Sequence, residues 1–291
     1  MPAASPKSTS SAAGTPPRPA LEKDDPGARW GLDLLAFSNV LPAAIAATLT
    51  WNSSVLQAAE RPFHWAGLAA AGTFVVYGID RLRDLSRDRL SSPKRTRFIE
   101  ARLRSYKLII GAAALVLACL ILITPINAIA LLGSIGLVGL LHRRLKQIAM
   151  LKTVYVSFAW TAICVGIPAL AAAREPEFAL QSTIWLAWIL FTAFVANLIA
   201  SNVRDGDAVF EARWAPRPLA IARLAAYIGI ALALLAPGDL ASLVWIPALE
   251  ALALAFYRPT EHYGLIIVDG ALLVGAALSL LHHSLYIIPG T

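Results

Sequence analysis

Residues 105–146 read SYKLIIGAAALVLACLILITPINAIALLGSIGLVGLLHRRLK, and this stretch decides the class of fold. Two apolar runs, 106–124 and 126–142, meet at a short uncharged turn around Pro125 and end at the basic cluster Arg143, Arg144 and Lys146. At 1.5 Å per helical residue each run is about long enough to cross a hydrocarbon layer of ~30 Å. The expected structure is a hairpin of two spanning helices.

Working outward, similar runs lie near 31–50, 63–80, 152–173, 179–202, 217–236, 240–257 and 264–288. Composition agrees, because 58% hydrophobic and 15% charged residues in a chain of 291 cannot all be placed in one water-soluble core. The fold class is therefore all-α, a polytopic transmembrane bundle of about nine helices over residues 31–288. The division between the third and fourth spans is the softest, and Pro247 and Glu250 interrupt the eighth. Residues 1–30, rich in Ser, Ala and Pro, have too little apolar surface to order themselves and are expected to be a disordered tail. They hold no apolar run followed by a small-residue cleavage site, so a removed signal peptide is not expected.

Lys and Arg crowd alternate connections. The second-to-third connection carries ten of them between Arg81 and Lys107, and the fourth-to-fifth and sixth-to-seventh are also basic, whereas the turns at Pro125 and Asp239 have none. By the positive-inside rule the N-terminus is cytoplasmic. The net charge of +7 belongs to these loops and their contact with anionic lipid, and nucleic-acid binding is not expected. Cys119 and Cys164 each sit within an apolar span, which suits packing and supports neither a disulfide framework nor a thiolate metal site. The expected location is a bacterial inner membrane, crossed several times.

Chemistry concentrates at the basic edge. In 77–98, YGIDRLRDLSRDRLSSPKRTRF, the residues Asp80, Asp84 and Asp88 recur every four positions. On a helix that spacing turns about 40° per step and keeps the three carboxylates on one face over ~12 Å. Mg²⁺ across such a ladder relieves its repulsion and binds phosphates on its other side. The plainer alternative is a juxtamembrane helix whose aspartates are neutralised by Arg83 and Arg87. A second acidic segment, NLIASNVRDGDAVFE over 197–211, brings Asn202, Asp205, Asp207 and Glu211 to the end of the sixth span at the same level. A solvated charged loop is the competing reading.

On these two segments the chain resembles the UbiA superfamily of intramembrane prenyltransferases, whose nine-helix layout carries acidic motifs after helices two and six. Asp80, Asp84 and Asp88 match the first motif, with Asp80 where Asn is usual and Arg81 where a further Asp often stands. Asn202, Asp205 and Asp207 match only the start of the second. Either Asp205 and Asp207 together stand in for its downstream aspartate, or Glu211 does, or part of the metal set is lost.

The resemblance implies Mg²⁺ held by Asp80, Asp84, Asp88, Asp205 and Asp207, a prenyl diphosphate contacted by Lys94, Arg95, Arg97, Lys146 and Lys152, and a lipophilic acceptor. It implies an apolar tunnel for the isoprenoid, with Asn197 a candidate to orient the acceptor or to make an interhelical bond. Asp269 is a buried acid of unassigned role. Two further readings stand beside transfer: a UbiA-like protein that binds an isoprenoid or lipid diphosphate without catalysis, and a transporter. A head-group phosphotransferase is disfavoured, because Asp205-Gly206 is followed by Ala212-Arg213 at the wrong interval. His282 and His283 and the Trp residues at 185, 188 and 245 read as interface or packing groups.

Overall fold

In the computed structural model, which describes residues 30–145, 149–172, 176–205 and 217–287, each of the nine apolar segments falls on helix. The tail expected over 1–30 lies outside the described residues except for Trp30. The helices are α1 Trp30–Phe37, α2 Val40–Leu56, α3 Pro62–Ser91, α4 Pro93–Ala101, α5 Leu103–Leu122 and α6 Ile126–Leu145. They continue with α7 Ala149–Thr161, α8 Ile167–Ala169, α9 Pro176–Arg204, α10 Pro218–Leu235, α11 Trp245–Ala255 and α12 Asp269–Ile287. Two π-helical segments, Ala162–Gly166 and Tyr263–Val268, lead into α8 and α12, and a 3₁₀ segment, Gly238–Val244, leads into α11.

Six stretches are long and apolar enough to cross a membrane: Leu103–Leu122, Leu151–Ala169, Leu180–Arg204, Pro218–Leu235, Gly238–Ala255 and Tyr263–Leu285. The pair α1 and α2, bent by 58°, makes a seventh. Helix α3 starts apolar and runs on through the acidic ladder, so one rigid element links membrane to edge. The chain is an integral, multi-pass membrane protein. Its outward face confirms which solvent it meets, since Leu122 is 84% exposed, Ile126 80% and Leu108 75%. In water these would form a large sticky surface; in lipid they are at home.

The core joins α2, α9, α10, α11 and α12 through Leu49, Leu190, Ala233, Ile246 and Leu272, with Cys164 packed among them. Pro247, flagged as an interruption, falls in the first turn of α11, where its missing N–H breaks no helical bond. Glu250 is wholly buried beside that core. Helix α5 packs on α3 and leaves most of its surface to lipid.

The first span departs from a straight rod. Asn39, between α1 and α2, takes a left-handed backbone (φ 63°) and is 1% exposed. Asn tolerates this conformation better than other residues with a Cβ. A broken helix inside a membrane needs protein partners for its freed polar groups, and those partners form the site described next.

Helices α11 and α12 touch at Gly275, where a Cβ would lie 2.7 Å from Ile246 Cα and 2.8 Å from the Trp245 carbonyl oxygen. Backbone cannot yield as a side chain can. Gly275→Ala is expected to cost ~1–3 kcal/mol, seen as a lower thermal midpoint in detergent. Gly133→Ala, whose Cβ would enter open space, is expected to leave the midpoint unchanged or slightly raised.

Candidate functional site

The break after α1 turns the start of α2 towards α3 and α9, and a cavity of about 60 Å³ lies where these helices converge. Pro42 and Ile45 of α2, Tyr77 and Arg81 of α3, and Trp160 of α7 line one side. Phe194, Asn197, Leu198, Ser201 and Arg204 of α9, Leu265 of the second π segment, and Asp269 and Leu272 of α12 complete it. Aromatic packing stiffens the wall. Tyr77 and Trp160 meet edge to face at 6.1 Å, and Trp160 and Phe194 are tilted by 44° with centroids 5.4 Å apart. The cavity thus combines an apolar, aromatic wall with two guanidinium groups.

Each arginine is held by a different device. Arg81 donates from Nε to the side-chain oxygen of Asn39 at 2.6 Å, and the Asn39 amide in turn donates to the Tyr106 hydroxyl. The left-handed Asn39 is therefore a strut: it breaks the first span and carries Arg81. Arg204 is gripped more tightly. Its Nε reaches Asp205 Oδ1 at 2.8 Å, its Nη2 reaches Asp205 Oδ2 at 3.2 Å, and Nη2 also donates to Ser201 Oγ at 2.7 Å. The Arg204 side chain is 5% exposed.

Burial pushes the Asp205 carboxyl up, but Arg204, with Arg95 and Arg81 behind it, outweighs burial and holds it below its ordinary range. Asp269, the cavity's carboxylate, accepts from Asn197 Nδ2 at 3.0 Å.

The expected site residues divide. Asp80, Asp84 and Asp88 do share α3, but the ladder turns along it: Asp80 is exposed, and Asp84 and Asp88 are half-buried. Asp88 accepts from Arg95 Nη2 at 2.7 Å, so a predicted metal ligand and a predicted diphosphate contact pair with each other. The backbone N–H groups of Lys94 and Arg95 donate to Glu261, and Arg97 is exposed. Lys152 Nζ donates to Asn202 Oδ1 at 2.8 Å, and Asn202 is buried and also donates to Thr153 Oγ1.

Asn197 does line the cavity and makes an interhelical bond as well. Lys146, Asp207 and Glu211 lie outside the described residues. Among the described residues no three His, Cys, Asp or Glu side chains gather as a metal site would require. The described lining of the cavity does not fit Mg²⁺: it offers one carboxylate, Asp269, beside two guanidinium groups, Asp88 and Asp205 are each bound to an arginine, and Asp80 and Asp84 are not among the lining residues. Two residues read from sequence as orientation signals, Arg81 and Arg204, prove to be the site's charges. Their sequence signals were an Arg at a motif's Asp position and an Arg immediately before Asp205.

Comparison with protein-family models gives no match, and comparison with curated proteins gives none. One solved structure, from a study of digeranylgeranylglyceryl phosphate synthase in membranes, resembles the chain with 15% identity and a TM-score of 0.46, covering 84% of this chain and 96% of that one. So slight a likeness carries no argument about what the cavity does.

The Asn39 strut can be separated into backbone and side-chain parts. Asn39→Gly keeps the left-handed turn and loses the bonds to Arg81 and Tyr106, whereas Asn39→Ala loses both. The alanine variant is expected to be the less stable by ~1 kcal/mol, read as the gap between their thermal midpoints.

Proposed function

We propose that the chain is an intramembrane prenyltransferase that holds the diphosphate of an isoprenoid at the cavity and passes the isoprenoid to a lipophilic acceptor. The observation that carries this is the cavity's two-part character: Arg81 and Arg204 beside a wall of Tyr77, Trp160, Phe194, Leu265 and Leu272. An anionic group attached to an apolar chain matches both parts. The resemblance of Asp80, Asp84, Asp88 and Asn202, Asp205 to the UbiA motifs supports the same class of ligand.

In this reading the allylic carbon–oxygen bond breaks, the diphosphate leaves with the electron pair, and the guanidinium groups stabilise its charge. The apolar, aromatic wall keeps water from the allylic cation until an acceptor atom bonds to it. The proton that the acceptor gives up would pass to Asp269, the carboxylate lining the cavity. Magnesium, expected from the acidic motifs, has no step here because the cavity offers one carboxylate beside two guanidinium groups, and Asp88 and Asp205 are engaged by arginines. That same engagement favours a second reading, in which the chain binds an isoprenoid or lipid diphosphate and transfers nothing.

Purified protein in lipid nanodiscs, given labelled prenyl diphosphates of increasing length with aromatic and lipid acceptors, separates the readings. Saturable binding with a prenylated product by mass spectrometry is the expected outcome. Saturable binding without product across the acceptor panel would favour the second reading, and no saturable binding would overturn both.

A further inference from the structure

Arginine pairs at a membrane edge commonly serve as topology signals with their heads in water, yet these two are drawn inward. Arg81 has a neutral partner, Asn39, and no carboxylate at ion-pair distance among the described residues. Its charged neighbours are two further cations, Arg95 and Arg204, and the Asp205 carboxylate that Arg204 holds. Arg204 spends Nε and Nη2 on Asp205 and Ser201, but its Nη1 is buried with no hydrogen-bond partner among the described residues. A buried donor on a charged group is costly to leave unmet. Both side chains line one cavity.

The fold also makes room for this arrangement. At Gly264, in the π-helical segment Tyr263–Val268, a Cβ would lie 2.5 Å from Arg204 Cδ and 2.8 Å from Arg204 Nη1. Only a residue without a Cβ lets the guanidinium lie there, and single π turns of this kind are frequent at functional sites. Asp205 approaches from the other side and fixes the plane of the group. Arg204 is therefore packed into position with one donor to spare.

We propose that the cavity receives the phosphate or diphosphate headgroup of a membrane amphiphile directly on Arg81 and Arg204, with no divalent cation between protein and ligand. This rests on the reading above that the ligand is an isoprenoid diphosphate and specifies how the anion is met. Guanidinium groups supply the positive charge that a metal would otherwise bring, and the Nη1 donor of Arg204 gains its missing acceptor. At about 60 Å³ the cavity is far too small for an isoprenoid chain, so only the anion is placed there. The chain of the amphiphile lies outside the cavity, among the membrane lipids.

The test measures binding of a labelled prenyl diphosphate, and separately of labelled inorganic diphosphate, to the full chain in nanodiscs with Mg²⁺ or with EDTA. Wild type is compared with Arg81→Gln, Arg204→Gln and Gly264→Ala, each checked by thermal melt. Prenyl diphosphate affinity is expected to change less than threefold between Mg²⁺ and EDTA and to fall about ten- to hundredfold in the variants.

Because Arg204→Gln strips Asp205 of its partner and can fail to fold, Arg81→Gln, which leaves only a neutral amide, carries the result by itself. Binding that disappears in EDTA, or that survives Arg81→Gln unchanged, overturns the direct clamp while leaving the isoprenoid reading in place. Binding of inorganic diphosphate alone, sensitive to Arg81→Gln and not to EDTA, keeps the clamp and removes the isoprenoid. Absence of binding by either probe overturns both.

Discussion

A guanidinium enclosed among apolar helices must have its charge met from within the protein, and Arg204 shows how much structure that demands. Asp205 must follow it directly at the end of α9, Ser201 must stand one turn earlier, and the facing helix must offer a glycine on a widened turn. The desolvation cost of such a group is repaid only by good geometry. Asn39 performs a related service for Arg81, and the kink it introduces in the first span is what turns α2 towards the cavity. The site and the irregularities of the bundle are in this sense one arrangement.

Helix class and most span positions were legible because run length and charge placement are one-dimensional signals, whereas 63–80 and 126–142 are not among the stretches of described residues long and apolar enough to cross. The break at Asn39 was not, since Ser38-Asn39 has neither Pro nor Gly to announce it. Nor were the π segments, whose extra residue per turn leaves no mark in an apolar sequence. Helix α4 was hidden inside a connection read only for its charge, although Pro93 at its first turn is a helix-start signal. At the site, Asn197 and Asp269 were noticed, but which partner each would find depended on how α9 meets α12, and no spacing within one helix reports that. Arg81 and Arg204 were read as topology signals because Lys and Arg are abundant at that edge and their direction cannot be seen from sequence.

The acidic ladder illustrates the difference between sharing a helix face and sharing a site. Each four-residue step turns about 40°, so Asp80 and Asp88 point in directions about 80° apart. Asp80 faces outward while Asp88 meets the buried Arg95. A motif can thus match a family in spacing while its members answer to different neighbours. The resemblance and the geometry agree on the end of the bundle where the chemistry belongs and differ on which side chains hold charge there.

The lengths of the spans have a consequence for how the helices stand in the bilayer. Helix α10 has 18 residues and α5 has 20, which correspond to about 27 and 30 Å of rise, whereas the apolar stretches Leu180–Arg204 and Tyr263–Leu285 have 25 and 23, about 38 and 35 Å. Spans so unequal cannot all match one hydrocarbon thickness while upright, and each ångström of mismatch carries a cost. Unequal length is therefore a reason for the helices to cross at an angle, since a tilted long helix and an upright short one span the same layer.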